Sequence, residues 1–399
     1  MSARADALLS AQAVRSHCAQ IMALAEQDRA PHFSLHLQQM PAAATWVADT
    51  IRLQYPDLNV PYHSRWRHFE AGGIDRWGRL AAQHGLSGAE RARIRIDLVI
   101  PSVLLDAGAG PDWRYQDPGG MQLARSEGLG VASLALFESG ALSGDARKPL
   151  RSDAAALSRL TEDTLAQAFQ VTPSNPLVGL AGRAALLQRL GAAMTARPDI
   201  FGVPARLGNL YDALAARADH GRIEAAAVLQ LLLQVLGPVW PGRIEVEGVS
   251  LGDCWRHPGT DDGLVPFHKL TQWLTYSMLE PLEEAGLAIN GLDTLTGLPE
   301  YRTGGLLLDF GIIKPRDPGF LQRVLTVDEP AVVEWRALTV MLLDRMADAV
   351  RAELGVTAAD FPLARILEGG TWAAGRRIAA LRRPGGAPPV SIASDGTVF

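Results

Sequence analysis

The chain has 399 residues, 48% hydrophobic and 20% charged, with 38 basic against 43 acidic residues and a net charge of −5. That balance excludes a disordered, collagen-like or coiled-coil chain, and it argues against a dedicated nucleic-acid binder, which would carry a basic face. Only three basic residues are lysine (Lys148, Lys269, Lys314), so arginine carries nearly all the positive charge and a lone arginine says little about phosphate. The cysteines are Cys18 and Cys254, and no close-spaced Cys/His set accompanies them. No metal and no cofactor is therefore expected. The N-terminal stretch lacks the apolar core of a signal peptide. The longest apolar run, Ala225 to Trp240, is broken by Gln230, Gln234 and Pro238 and is too short for a bilayer. The expectation is a cytoplasmic protein with no membrane partner.

In chain order, Leu8, Ala11, Val14, Cys18, Ile21, Met22 and Ala25 recur at helical spacing over Ala5 to Glu26. Helices follow near 42–54 and 65–83. Ser87-Gly-Ala-Glu90 reads as a capping box before Ile94, Ile96, Leu98 and Val99. Further helices are expected near 120–137, 154–170, 177–196 and 206–236. Arg243-Ile-Glu-Val-Glu-Gly248 alternates at the strand period. A helix is expected over 265–286. The apolar run Leu306 to Ile313, after Gly304-Gly305, reads as a strand. Asp328-Glu329-Pro330 opens a long helix that Gly355 closes. A last helix near 371–382 precedes a hairpin of Val390-Ser-Ile, a turn at Ser394-Asp395-Gly396, and Thr397-Val-Phe399. No βαβ rhythm, internal repeat or long linker appears. The reading is one mostly α domain over 1–399 with small β-hairpins.

Four segments bear chemistry. Ser102 to Tyr115 carries Asp106 and Asp112 beside Trp113, around Gly108 and Gly110. It reads as a sugar pocket, with carboxylates for hydroxyls and aromatics for the ring, or as a helix C-cap with local turns. Arg125-Ser-Glu127 would orient a substrate or form a local salt bridge. Asp253 to His268 delivers Asp261 and Asp262 to the start of the 265–286 helix, where a carboxylate stays ionised, and places His268 a turn and a half on. Helix capping is the alternative. Glu300-Tyr-Arg302 and Asp309 form the fourth segment. Asp309 in its apolar run needs a partner, and Arg302, Lys314 and Arg316 are the candidates. No nucleophile elbow, zinc-protease motif or phosphate-binding loop is present.

Ser102 to Tyr115, Arg125 to Ser133, Gly263 to Leu282, Gly297 to Gly311, Glu368-Gly-Gly-Thr-Trp372 and Ser394 to Phe399 together resemble the uracil catabolism protein 4 family. The resemblance covers nearly the whole chain. In that ring-opening pathway uracil becomes a nucleotide, and a relative of GTP cyclohydrolase II opens the pyrimidine. The resemblance thus implies a product in which urea remains on ribose or ribose phosphate, and a protein that cleaves the ribose–urea bond. Asp262-Gly-Leu-Val-Pro266, with Leu270 and Tyr276-Ser277, is also similar to a segment of queuosine-salvage N-glycosidases. Those are helical proteins related in fold to DNA glycosylases, and the Asp of the segment is catalytic there.

These resemblances imply an N-ribosyl hydrolase acting on ribosylurea or its 5′-phosphate. Asp262 would be the catalytic anion, and Asp106 or Glu300 the acid. Asp112 and Glu127 would hold ribose hydroxyls, and Trp113 or Tyr301 would pack on ribose or urea. Arg125, His268 and Arg302 would hold a phosphate, with Asp309 among the substrate-binding residues. One alternative is an amidohydrolase attacking the urea carbonyl. Another is a non-catalytic partner of the ring-opening enzyme.

Overall fold

The computed structural model describes residues 3–240 and 243–393. Helices carry the structure, and the strands are two- or three-residue pieces paired two by two. Among the described residues, 3–63, 243–272 and 291–393 form one compact unit, and 64–240 with 273–290 form another.

The first unit is organised by the helix Pro330–Leu354. Pro330 sits in the first turn, where a missing N–H costs nothing, and Gly355 takes the left-handed angle (φ 69°) that ends it. Its buried side includes Val332, Trp335, Leu338, Leu342 and Met346, and it packs on the helices Ala11–Glu26 and Met40–Gln54. The helix expected over 5–26 is two helices. Ser10 separates them, its hydroxyl accepting the Ala13 N–H at 3.1 Å as the N-cap of the second. Phe33–Leu35 pairs antiparallel with Ile313–Pro315, and Cys254–Arg256 with Leu264–Pro266.

The run Leu306 to Ile313 is not a strand. Its first half completes the helix Tyr301–Asp309, and Gly311 (φ 69°) turns the chain into Ile313–Pro315. A run this short and this apolar shows no period to read, so the cap at Glu300 decides it. Gly304 is required by close packing, since a Cβ there would stand 2.7 Å from the Trp335 ring. At the C-terminal end, Ser391–Ile392 lies parallel to Val324–Leu325. The remainder of the expected terminal hairpin falls outside the described residues.

The second unit contains the helices Gly88–Leu104, Arg125–Glu138, Leu180–Thr195 and Ala225–Leu236. Leu180–Thr195 packs on both Gly88–Leu104 and Ala225–Leu236. Ser87 is an N-cap by its extended backbone, but its hydroxyl makes no capping bond, and Glu90 pairs with Arg206 at 2.9 Å. The capping box read from sequence is therefore not formed. The expected helices over 65–83 and 154–170 are each two short ones. That over 206–236 is interrupted by Arg222–Glu224, which pairs parallel with Ala288–Asn290. Both cysteines are buried and free. No helix of the described residues is long and apolar enough to cross a membrane.

Candidate functional site

The helix Gly88–Leu104 ends at Leu105, and the small residues after it let the chain double back. Arg183, itself buried, clamps this turn. Its guanidinium donates to the carbonyl oxygens of Leu105, Ala107 and Gly108. Burial lowers its pKa to about 10, with Asp106 opposing the shift. The clamp fixes Asp106, whose side chain is 9% exposed and whose Oδ1 lies 2.8 Å from Arg65 Nη1.

Arg65 is wholly buried. Its Nε donates to Ser102 Oγ at 2.7 Å. Ser133 gives its hydroxyl hydrogen to the Gly130 carbonyl, so Ser102 is the donor in the 2.6 Å Ser102–Ser133 bond. Nη1 also donates to the Ser126 carbonyl at 3.2 Å and lies 3.3 Å from His68 Nδ1. The Trp273 ring stands 5.8 Å from the guanidinium carbon. Burial lowers the Arg65 pKa, and Asp106 and then Glu127 oppose it. Arg65 Nη2 is buried and has no protein hydrogen-bond partner. A free donor beside a carboxylate fits the oxygen and N–H edge of a planar amide or urea.

The other residues of this unit singled out from sequence take different places. Glu127 is half-buried and acts electrostatically on Arg65, while Asp112 and Arg125 are exposed. Arg125 opens its helix with a left-handed φ of 53°. Trp113 is wholly buried: Nε1 donates to the Phe169 carbonyl at 2.9 Å, and the ring fills the space a Gly128 Cβ would need.

In the first unit, Asp262 is exposed on the turn between Cys254–Arg256 and Leu264–Pro266. One oxygen accepts the Leu264 N–H at 3.0 Å, and the other lies 3.3 Å from His17 Nε2. It does not stand at the helix start, because residues 264–266 are a strand and the helix begins at Lys269. The carboxylate at that start is Asp253, which accepts the Lys269 N–H and the Trp255 indole N–H and pairs twice with Arg336 at 2.9 Å. Burial pushes the Asp253 pKa up, but Arg336 and these bonds outweigh it and hold the carboxyl well below its ordinary value.

His268 is buried, with Nε2 2.9 Å from the Leu8 carbonyl oxygen. Glu300 caps the helix Tyr301–Asp309, accepting the Arg302 and Thr303 N–H groups at 2.8 and 2.6 Å. The partner of Asp309 is Arg383, by a two-pronged pair at 2.7 and 2.5 Å, rather than Arg302, Lys314 or Arg316. Arg302 lies over the Tyr301 ring and donates to the Gly386 carbonyl. Both arginines thus fasten the 383–389 connector to this helix.

The Glu368-Gly-Gly-Thr-Trp372 motif forms a wide π-turn, Leu367–Trp372. Its glycines lie against Val47, Ile51 and Val60, and Glu368 Oε2 is 2.7 Å from His63 Nδ1. Sequence reasoning missed Arg65, Asp253 and His63 as site residues. With arginine so abundant, only the aromatic setting Ser64-Arg-Trp-Arg-His68 marks Arg65.

Fold and geometry define a mostly helical protein whose polar groups are gathered into buried arginine–carboxylate and histidine–carboxylate sets. Residues 7–399 match the family described as a protein of unknown function (DUF1688), and the chain belongs to it. It is similar to the Lachancea kluyveri protein named "Uracil catabolism protein 4", at 38% identity over 98% of both chains. It is likewise similar to "Protein urg3" of Schizosaccharomyces pombe, at 39% identity over 98% of both.

Proposed function

We propose that this protein acts in uracil catabolism by hydrolysing the N-ribosyl bond of ribosylurea or its 5′-phosphate, giving urea and ribose or ribose phosphate. The observation that carries the reading is the end-to-end match to a relative named for uracil catabolism. The Arg65–Asp106 pair supplies a chemistry for it.

When the bond breaks, its electron pair goes to the urea nitrogen and spreads onto the urea oxygen. Arg65 Nη2–H donates to that oxygen, and a donor aimed at such developing charge is worth about 100- to 1,000-fold in rate. Asp106 faces the cation-like ribosyl carbon. Water adds to that carbon, and the proton it loses ends on the departing nitrogen. Asp106 takes the role that sequence resemblance gives Asp262, because it is shielded from solvent and held by the Arg183 clamp, whereas Asp262 is exposed.

The test is to incubate the purified protein with each substrate and quantify urea and free sugar. Equimolar release is expected, with Asp106→Asn slower by about 100-fold or more and Asp262→Asn close to wild type. The reverse order of the two variants would move the reaction to the Asp262 turn. Ammonia in place of urea would make the protein an amidohydrolase, and intact substrate would reject hydrolysis.

A further inference from the structure

The first unit gathers three side chains that the Arg65 cluster does not involve. His32 precedes the strand Phe33–Leu35, which is held by Ile313–Pro315. His257 follows the strand Cys254–Arg256, its own N–H bonded to the Gly263 carbonyl. Glu334 lies in the second turn of the helix Pro330–Leu354. One ligand atom from each lies within 4.8 Å of the others. We propose that His32, His257 and Glu334 form a binding site for a first-row divalent transition-metal ion, with Zn2+ the best fit.

Four observations carry this. Glu334 is wholly buried and His257 nearly so, yet His257 Nε2 and Glu334 Oε2 have no protein partner beyond the long 3.4 Å contact between them. Buried polar atoms in that condition call for a ligand between them. The two stand 3.4 Å apart, and bonds of about 2.0–2.1 Å in a tetrahedron put neighbouring ligand atoms about 3.3–3.4 Å apart. The carboxylate is already aimed, because Glu334 Oε1 accepts the His32 and Phe33 N–H groups at 3.1 and 2.8 Å. Such bonds to the second oxygen are the support metal-binding carboxylates use. Finally, two imidazoles and one carboxylate are the donor set of three-ligand zinc sites, which leave a fourth position for water. Half-buried His32 is the side from which that position is reached.

One contact has to give. Gly259 N–H donates to His257 Nδ1 at 3.0 Å, which puts the ring proton on Nε2. Loading moves that proton to Nδ1, so the 257–259 turn shifts on binding.

The experiment uses the full chain stripped with a chelator, titrated with Zn2+ in a competition assay and followed by metal analysis and thermal melting. One equivalent should bind and raise the melting temperature, and EDTA should reverse both. Glu334→Gln keeps the backbone contacts through its amide oxygen, and His32→Ala removes a partly exposed ring. Each should fold and weaken Zn2+ affinity by about 100-fold or more, beyond the 10- to 100-fold of support-residue changes. Wild-type protein that takes up no Zn2+, or variants that bind it as wild type does, would overturn the site. All three ligands lie in the first unit and the Arg65 cluster in the second, so this result and the urea assay are separate.

Discussion

Asp106→Asn tests the Arg65 cluster at its most sensitive point. The substitution keeps size and one hydrogen-bond acceptor but removes the charge that faces Arg65 at 2.8 Å. Arg65 is wholly buried and cannot turn to solvent. Breaking a buried pair by removing one partner costs about 3–5 kcal/mol, whereas removing both charges together is often neutral. Glu127 still attracts Arg65, and the amide oxygen that replaces the carboxylate would still accept a bond, so the low end applies. A loss of about 3 kcal/mol lowers the melting temperature of a unit this size by about 6–12 °C. Arg65→Met should lose a similar amount, and the double variant should recover much of it, a coupling that a double-mutant cycle measures directly. The cycle would be read by thermal melting alongside the urea assay. The double variant should be stable yet inactive, which separates folding from chemistry. Equal stability of Asp106→Asn and wild type, or strictly additive losses in the cycle, would refute the reasoning.

Glu300→Ala removes both capping bonds of the helix Tyr301–Asp309 and should cost about 1 kcal/mol in urea unfolding, without changing turnover per folded molecule. A collapse of turnover would restore Glu300 as a catalytic acid. Gly304→Ala drives a Cβ to 2.7 Å from the Trp335 ring and should destabilise by about 1–3 kcal/mol, read as a lower melting temperature. Burial lowers the His268 pKa, with the Leu8 carbonyl bond opposing it. Below the unfolded value of about 6.5, the unfolded chain takes up a proton that the folded chain refuses. Stability is therefore unaffected by this group above that pH and falls as pH drops from it toward the lowered folded value. In His268→Gln, whose amide reaches the same carbonyl, the melting temperature should fall less on acidification from about pH 7.5 to about pH 5.5, and parallel curves would show that another group governs the decline.

Much of the helical framework was legible because amphipathic periods, Pro330 and Gly355 are local signals, fixed by residues a few positions apart. Ser10 is an equally local signal, its hydroxyl reaching only to Ala13, but the helical period on both sides of it hid the break. The apolar run at 306–313 was misread because a run that short and that uniformly apolar carries no period to distinguish helix from strand. Asp106 could be singled out, since it sits between a helix end and glycines. Its charge partner could not, because Arg65 reaches it only through the fold and is one arginine among many in the sequence.

What the sequence determined by itself was the class of fold and the motifs that tie the chain to its family. The tertiary structure decided which polar residues meet. It gave Asp309 to Arg383, Asp253 to Arg336, Glu368 to His63, and Glu334 to His32 and His257. The physical reason is that a helix cap is a contact of short range along the chain. A buried charge must instead find its partner in space, and folding can bring that partner from any distance in sequence.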